Sequence, residues 1–144
     1  MRKTNPKQHS AEHILDNVFG KLFQSKIIET KFKEKKVRCD FDVKLEISLE
    51  KAIKEVEKET NKIIDQKLPV NIEERAREEL KNEMLHKIPK DVKNVRLVKI
   101  GDNIVTPCCG EHVSNTSEIG VLRIKTFNQI EPNIIRLTFV LENK

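Results

Sequence analysis

The chain has 144 residues, enough for one domain to bury a continuous core without disulfides. Lys and Arg total 28 against 23 Asp and Glu, a net charge of +5 that permits a phosphate-bearing partner without demanding one. Absence of Trp and Tyr excludes an aromatic base-stacking platform, and with no apolar run of membrane-spanning length and no apolar leader core a soluble, cytoplasmic protein is expected.

From His9 to Phe23 the residues Ala11, Leu15, Val18, Phe19 and Leu22 share one helical stripe, with Ile14 and Phe23 at its margins. "KIIETKFKEKKVRCDFDVKLEI" then reads as two strands around the polar "KEKK" turn, because Val37, Cys39, Phe41, Val43, Leu45 and Ile47 alternate with polar residues. Ser48 sits where a helix cap would, and Leu49, Ala52, Ile53, Val56, Thr60, Ile63 and Ile64 follow at helical spacing until Pro69. "LPVNIEE" reads as an extended link, after which Ala76, Leu80 and Met84 predict another helix ending before Pro89. "VRLVKIG", "GVLRIKTF" and "NIIRLTFVLE" return to strands. The expected fold class is α+β, with helices packed on a curved, mostly antiparallel sheet in a single domain.

The chain holds three cysteines, Cys39, Cys108 and Cys109, an odd number with two adjacent, which predicts reduced thiols free to ligate metal. His9 and His13 form H-x-x-x-H in "HSAEH", one turn apart on a helix and able to hold one ion together. On its own such a pair is more often two exposed polar residues at a helix start. Cys108 and His112 repeat the spacing as C-x-x-x-H in "CCGEH", while Cys109 to His112 would be C-x-x-H, and chemistry alone leaves both readings open. Free cysteines are commonly small buried hydrophobes. Imidazole and thiolate together are nevertheless what zinc prefers, and two such pairs from distant parts of one chain point to a zinc site.

These residues resemble the second additional domain shared by alanyl- and threonyl-tRNA synthetases, and its freestanding AlaX-like relatives that hydrolyse misacylated tRNA. "HSAEHIL" matches the first part of that family's pattern and "CCGEHVSNTSEIG" the second, whose usual form is C-G-G-T-H-V-x-x-T-G-E-I-G. The resemblance extends through "VRCDFDV", "LEKAIKEVEKETNKIIDQKLPV" and "VRLVKIG". It implies a zinc site of His9, His13, Cys108 and His112, choosing Cys108 over Cys109 by position. It also implies a helix cradled by the sheet with the metal in the cleft between them.

With eight residues before His9, residues 1–144 are expected to be one tRNA-editing domain of the short freestanding type. The implied reaction is hydrolysis of the ester joining serine or glycine to the acceptor end of alanine tRNA, with zinc either activating water and the carbonyl or ordering the cleft. The alternatives are a deacylase of seryl threonine tRNA, and a zinc-stabilised tRNA-binding module without catalysis.

Gln8, Glu12 and Glu111 are catalytic candidates by adjacency to the ligands, the two carboxylates reading more readily as solvated groups or as supports of the ligands. Cys109 and Gly110 are substrate-binding candidates. Cys109, Glu111 and Ser117 depart from the pattern, replacing Gly, Thr and Gly. A zinc protease is disfavoured because the H-E-x-x-H register is missing. A thiol enzyme built on Cys109 and His112 would need a lowered thiolate pKa. Lys3, Lys7, Lys21, Lys26, Lys33, Lys35 and Lys36 crowd the first quarter, where phosphate contacts and a solvated face explain them equally.

Overall fold

A computed structural model describes residues 5–85 and 88–144. The first helix, α1 (Pro6–Phe23), starts three residues before His9 because Asn5 caps it, its side chain accepting from the backbone N–H groups of Lys7 and Gln8, with Pro6 at the first helical position. It stops at Gln24, whose left-handed backbone (φ 57°) donates to the Gly20 carbonyl at 2.9 Å. Ala11, Ile14, Leu15, Val18 and Phe19 are buried, so Ile14 belongs to the centre of the stripe and Leu22, 41% exposed, falls outside it.

The hairpin β1 (Lys26–Phe32) and β2 (Val37–Asp42) turns at residues 33–36. The predicted alternation beyond Asp42 does not continue as strand, and Ile47 is exposed just ahead of Ser48, which caps α2 (Leu49–Ile64) by accepting from the Lys51 N–H. β2 pairs antiparallel with β7 (Ile134–Glu142), and β7 with β6 (Val121–Glu131), giving one sheet in the order β1-β2-β7-β6. Its inner face supplies Val37, Cys39, Phe41, Ile135, Leu137 and Phe139 to a core shared with α1 and α2. Phe19 of α1 lies on Phe41 with ring centroids 4.6 Å apart. Asp40 stays buried on β2 because Arg136, its register partner on β7, grips both carboxylate oxygens at 2.9 and 3.1 Å.

A second antiparallel sheet of three strands, in the order β3-β4-β5, contains β3 (Val70–Ala76), β4 (Asn94–Ile100) and β5 (Ile104–Pro107). Here the sequence expectation fails. The "link" after Pro69 is strand β3, paired with β4 from Val70↔Ile100 to Ala76↔Asn94, and Ala76 ends that strand instead of opening a helix. The predicted helix shrinks to a 3-10 turn at Arg77–Glu79 and the single turn α3 (Asn82–Leu85). The architecture is α+β with antiparallel sheets throughout. Among the described residues no helix is long and apolar enough to cross a membrane.

Candidate metal centre

α1 divides lengthwise. Its later turns anchor in the core, whereas its first turns present His9 and His13 to the loop that follows β5. Cys108 and His112 lie on that loop, and one ligand atom from each of the four residues falls within 4.8 Å of the others. Cys108 Sγ is 3.2 Å from His9 Nε2, although the two residues are 99 positions apart. The three imidazoles crowd together, His9 stacked on His112 at 4.3 Å and His13 edge-on to both. Cys109, by contrast, is exposed and outside the cluster.

Several contacts that the sequence did not reveal hold this arrangement. Ser10, fully buried between the two histidines of α1, places its hydroxyl oxygen 2.9 Å from His112 Nδ1 and accepts from the Val113 N–H at 3.1 Å. With Nδ1 committed to Ser10, the buried Nε2 of His112 has no hydrogen-bond partner. A nitrogen in that state suits a metal ion. Arg96 of β4 donates from one Nη1 to the carbonyls of Cys108 and Gly110 at 2.7 and 3.0 Å, and its own carbonyl accepts from the Cys108 N–H at 3.1 Å. The ligand loop is thus fixed to the second sheet. Gly110 must lack a side chain, since a Cβ there would run into the His9 imidazole.

The remainder of the motif builds the loop's far end. Thr116 Oγ1 accepts from the Leu68 N–H at 2.8 Å and donates to the Ile64 carbonyl at 2.9 Å, tying the loop to the end of α2. Glu118 Oε2 accepts from the N–H groups of Ser114 and Asn115 and from the Ser114 hydroxyl. Ser117, one of the departures from the family pattern, is exposed, and its N–H donates to the Asn115 side chain.

Burial keeps the imidazoles neutral. It pushes His13 down to about 3, with the neighbouring His112 and His9 acting in the same direction. His112 falls to about 3 by burial, then by the positive fields of His9 and Arg96. His9 is lowered mainly by burial, against an opposing backbone hydrogen bond at Glu111. Neutral imidazoles are the ligating form, and with one thiol they make a donor set for a borderline-soft divalent ion. Burial raises the Cys108 thiol, so in the metal-free protein this ligand must lose its proton to bind.

The other sequence candidates separate. Gln8 is buried, and its amide donates to the Lys33 carbonyl at 2.9 Å, holding the β1–β2 turn against α1. Glu12 is half-buried and accepts from the Thr30 hydroxyl at 2.8 Å, so the solvated reading fails for it. Glu111 is exposed, as that reading had it, and lines a cleft of about 390 Å³ with His112, Arg96, Val70 and Ile72. Phe32 closes the opposite flank, its ring edge-on to His9 at 5.4 Å.

The family model described as "Threonyl and Alanyl tRNA synthetase second additional domain" matches residues 95–138, a span that includes Cys108 and His112. The alanyl-tRNA editing protein AlaX-L of Pyrococcus horikoshii is 35% identical over 140 residues, covering 96% of this chain and 34% of that protein. AlaX-M of Methanosarcina barkeri is 33% identical over 139 residues, covering 92% of the chain and 56% of the relative. An alanine-tRNA ligase of Buchnera aphidicola is 32% identical over 145 residues, covering 96% of this chain and 16% of that ligase. The chain therefore spans between about a sixth and just over half of these relatives' lengths.

Proposed function

This chain is homologous to the freestanding alanyl-tRNA editing proteins and to alanine-tRNA ligase, and from that premise we propose that it is a zinc-dependent hydrolase that deacylates misacylated tRNA. The observation that carries the reading is the meeting of His9, His13, Cys108 and His112, drawn from distant parts of the chain, beside an open cleft. The substrate is alanine tRNA wrongly charged with serine or glycine, and both named editing relatives favour the alanine branch over seryl threonine tRNA.

His9, His13, Cys108 and His112 hold the zinc in this reading. When bound, the ion supplies Lewis-acid polarisation for attack on the ester. Ser10 fixes the tautomer and orientation of His112, and Arg96 holds the loop from which Cys108 reaches inward. Water adds to the ester carbonyl, the bond to the terminal ribose oxygen breaks, and the products are a free amino acid and tRNA with its hydroxyl restored. Glu111, at the lip of the cleft beside His112, is assigned the proton released by the water. Glu12 and Gln8 are assigned support, because each already holds a neighbouring strand or turn.

The test is deacylation of seryl alanine tRNA by zinc-loaded protein, with glycyl and alanyl alanine tRNA and seryl threonine tRNA alongside. Loss of serine and glycine with alanine spared is the expected result. Faster hydrolysis of seryl threonine tRNA would move the assignment to that branch. Zinc and tRNA binding without hydrolysis of any of them would replace the enzyme by a binding module.

A further inference from the structure

Seven lysines in the first quarter of the sequence looked like one cluster, but the fold divides them. Lys3 lies outside the described residues. Lys21 is 14 positions beyond Lys7 on α1, about 20 Å away at 1.5 Å per residue, and Lys26 pairs with Asp42 at the open end of the hairpin. Lys7, Lys33, Lys35 and Lys36 remain together beside the ligand cluster. The Lys33 N–H donates to the Lys36 carbonyl at 2.9 Å and closes the turn, while Gln8 binds the Lys33 carbonyl and so fastens it to α1 one residue before His9.

Lys7 and Lys35 line one depression of about 320 Å³, together with Glu34 and Glu142. All four lysines are exposed, and among the described residues none forms an ion pair. The nearby start of α1 carries no acidic residue in its first turn, so its dipole adds to the same positive field.

The other flank has the opposite character. β3, which contributes Val70 and Ile72 to the cleft, carries Glu73 and Glu74, and the following turn carries Glu78 and Glu79. With Arg75 paired to Glu73 and Glu79 and Arg77 donating to backbone carbonyls, that segment carries four carboxylates against two guanidinium groups, and Arg96 lies beside it on β4. A polyanion reaching the ligand cluster is repelled by the β3 flank and drawn by the β1–β2 flank.

We propose that Lys7, Lys33, Lys35 and Lys36 form the docking surface for the sugar-phosphate backbone of an RNA whose 3′ end enters the cleft, fixing the direction from which the substrate approaches. This rests on the function proposed above for its choice of RNA, while the surface itself is argued from charge and position. Phosphate contacts of this type position the RNA without reading its sequence.

The test is equilibrium binding of uncharged alanine tRNA across a salt titration, with K33Q/K35Q/K36Q compared with K21Q/K26Q/K44Q. Lys21 and Lys44 lie by a separate depression at the far end of α1, so the second variant removes equal charge elsewhere. The turn variant is expected to lower the slope of log K against log salt by about 2 to 3, to bind roughly 100-fold more weakly near 0.1 M salt, and to approach wild type near 1 M. The far-end variant should retain the wild-type slope. Equal losses in both variants, no loss in the turn variant, or no RNA binding by the wild type would each overturn the proposal. Because the assay involves no hydrolysis, a protein that binds through this turn yet cleaves nothing would sink the enzyme reading and leave the surface standing.

Discussion

The two sheets are organised on opposite principles, and α1 belongs to both. Against the four-stranded sheet it buries Ile14, Leu15, Val18 and Phe19 in an apolar layer with Phe41 and Phe139. Toward the three-stranded sheet and its loop the same helix presents His9, Ser10 and His13, and the partners there are a thiol, an imidazole, backbone groups and Arg96. One region is specified by volume and exclusion of water, the other by the direction of individual polar atoms. Placing both on one rigid helix lets hydrophobic burial set the position of ligands that contribute little burial themselves.

A pair of substitutions should separate the two regions. Cys108→Ala should abolish stoichiometric zinc, measured by metal analysis of purified protein. Deacylation should fall by more than the 10- to 100-fold typical of losing a supporting partner. The metal-free melting transition should remain close to that of the metal-free wild type. Phe139→Ala should do the converse, costing about 3–5 kcal/mol in denaturant unfolding while the folded fraction keeps its full complement of zinc. Loss of zinc from folded Phe139→Ala protein would show that the two faces of α1 are not independent.

Ser10→Ala sharpens the boundary, because this buried hydroxyl serves both regions. Zinc affinity in chelator competition should drop 10- to 100-fold as His112 loses its orienting partner. Unfolding free energy should also fall by about 1–3 kcal/mol as the Val113 N–H is left without an acceptor.

A graded effect is that of pH on the metal-free protein. His13 and His112 titrate near 3 when folded but near the ordinary 6.5 when unfolded. The unfolded chain thus binds more protons over that interval. Stability should be level between about pH 7 and 8 and fall as pH decreases toward 3, with His13 contributing a limiting slope of about 1.4 kcal/mol per pH unit. Urea midpoints between pH 4 and 8 measure this, and His13→Gln should flatten the profile if the protein remains folded.

The elements legible in the sequence were those specified locally. α1 and α2 announce themselves by stripes, α2 also by its cap Ser48, and β2 by strict alternation. β3 was misread because "VNIEERA" shows no alternation and buries no residue fully, and is defined by seven register partners on β4 that local pattern does not contain. The four residues of the cluster were legible because their spacing is itself chemical, and the family pattern picked Cys108, which the fold brings to His9 while leaving Cys109 exposed. Ser10 and Arg96 were not legible. A serine inside H-x-x-x-H and an arginine on a strand have ordinary appearances, and their roles arise only when the loop after β5 folds against α1. Gly110 was named as a substrate-binding candidate, whereas its constraint in the fold is the His9 ring lying where its side chain would be.

The 99 positions that separate His9 from Cys108 also order events in time. A ribosome adding about 5–20 residues per second makes α1 some 5 to 20 s before Cys108 exists, and longer still before β7 completes the sheet behind it. Throughout that interval the emerging chain has half a ligand set and no partner for it. Assembly of the four-residue cluster thus belongs to the last stage of biosynthesis, and a nascent chain stalled before β5 would hold two histidines that a finished molecule brings together with Cys108 and His112.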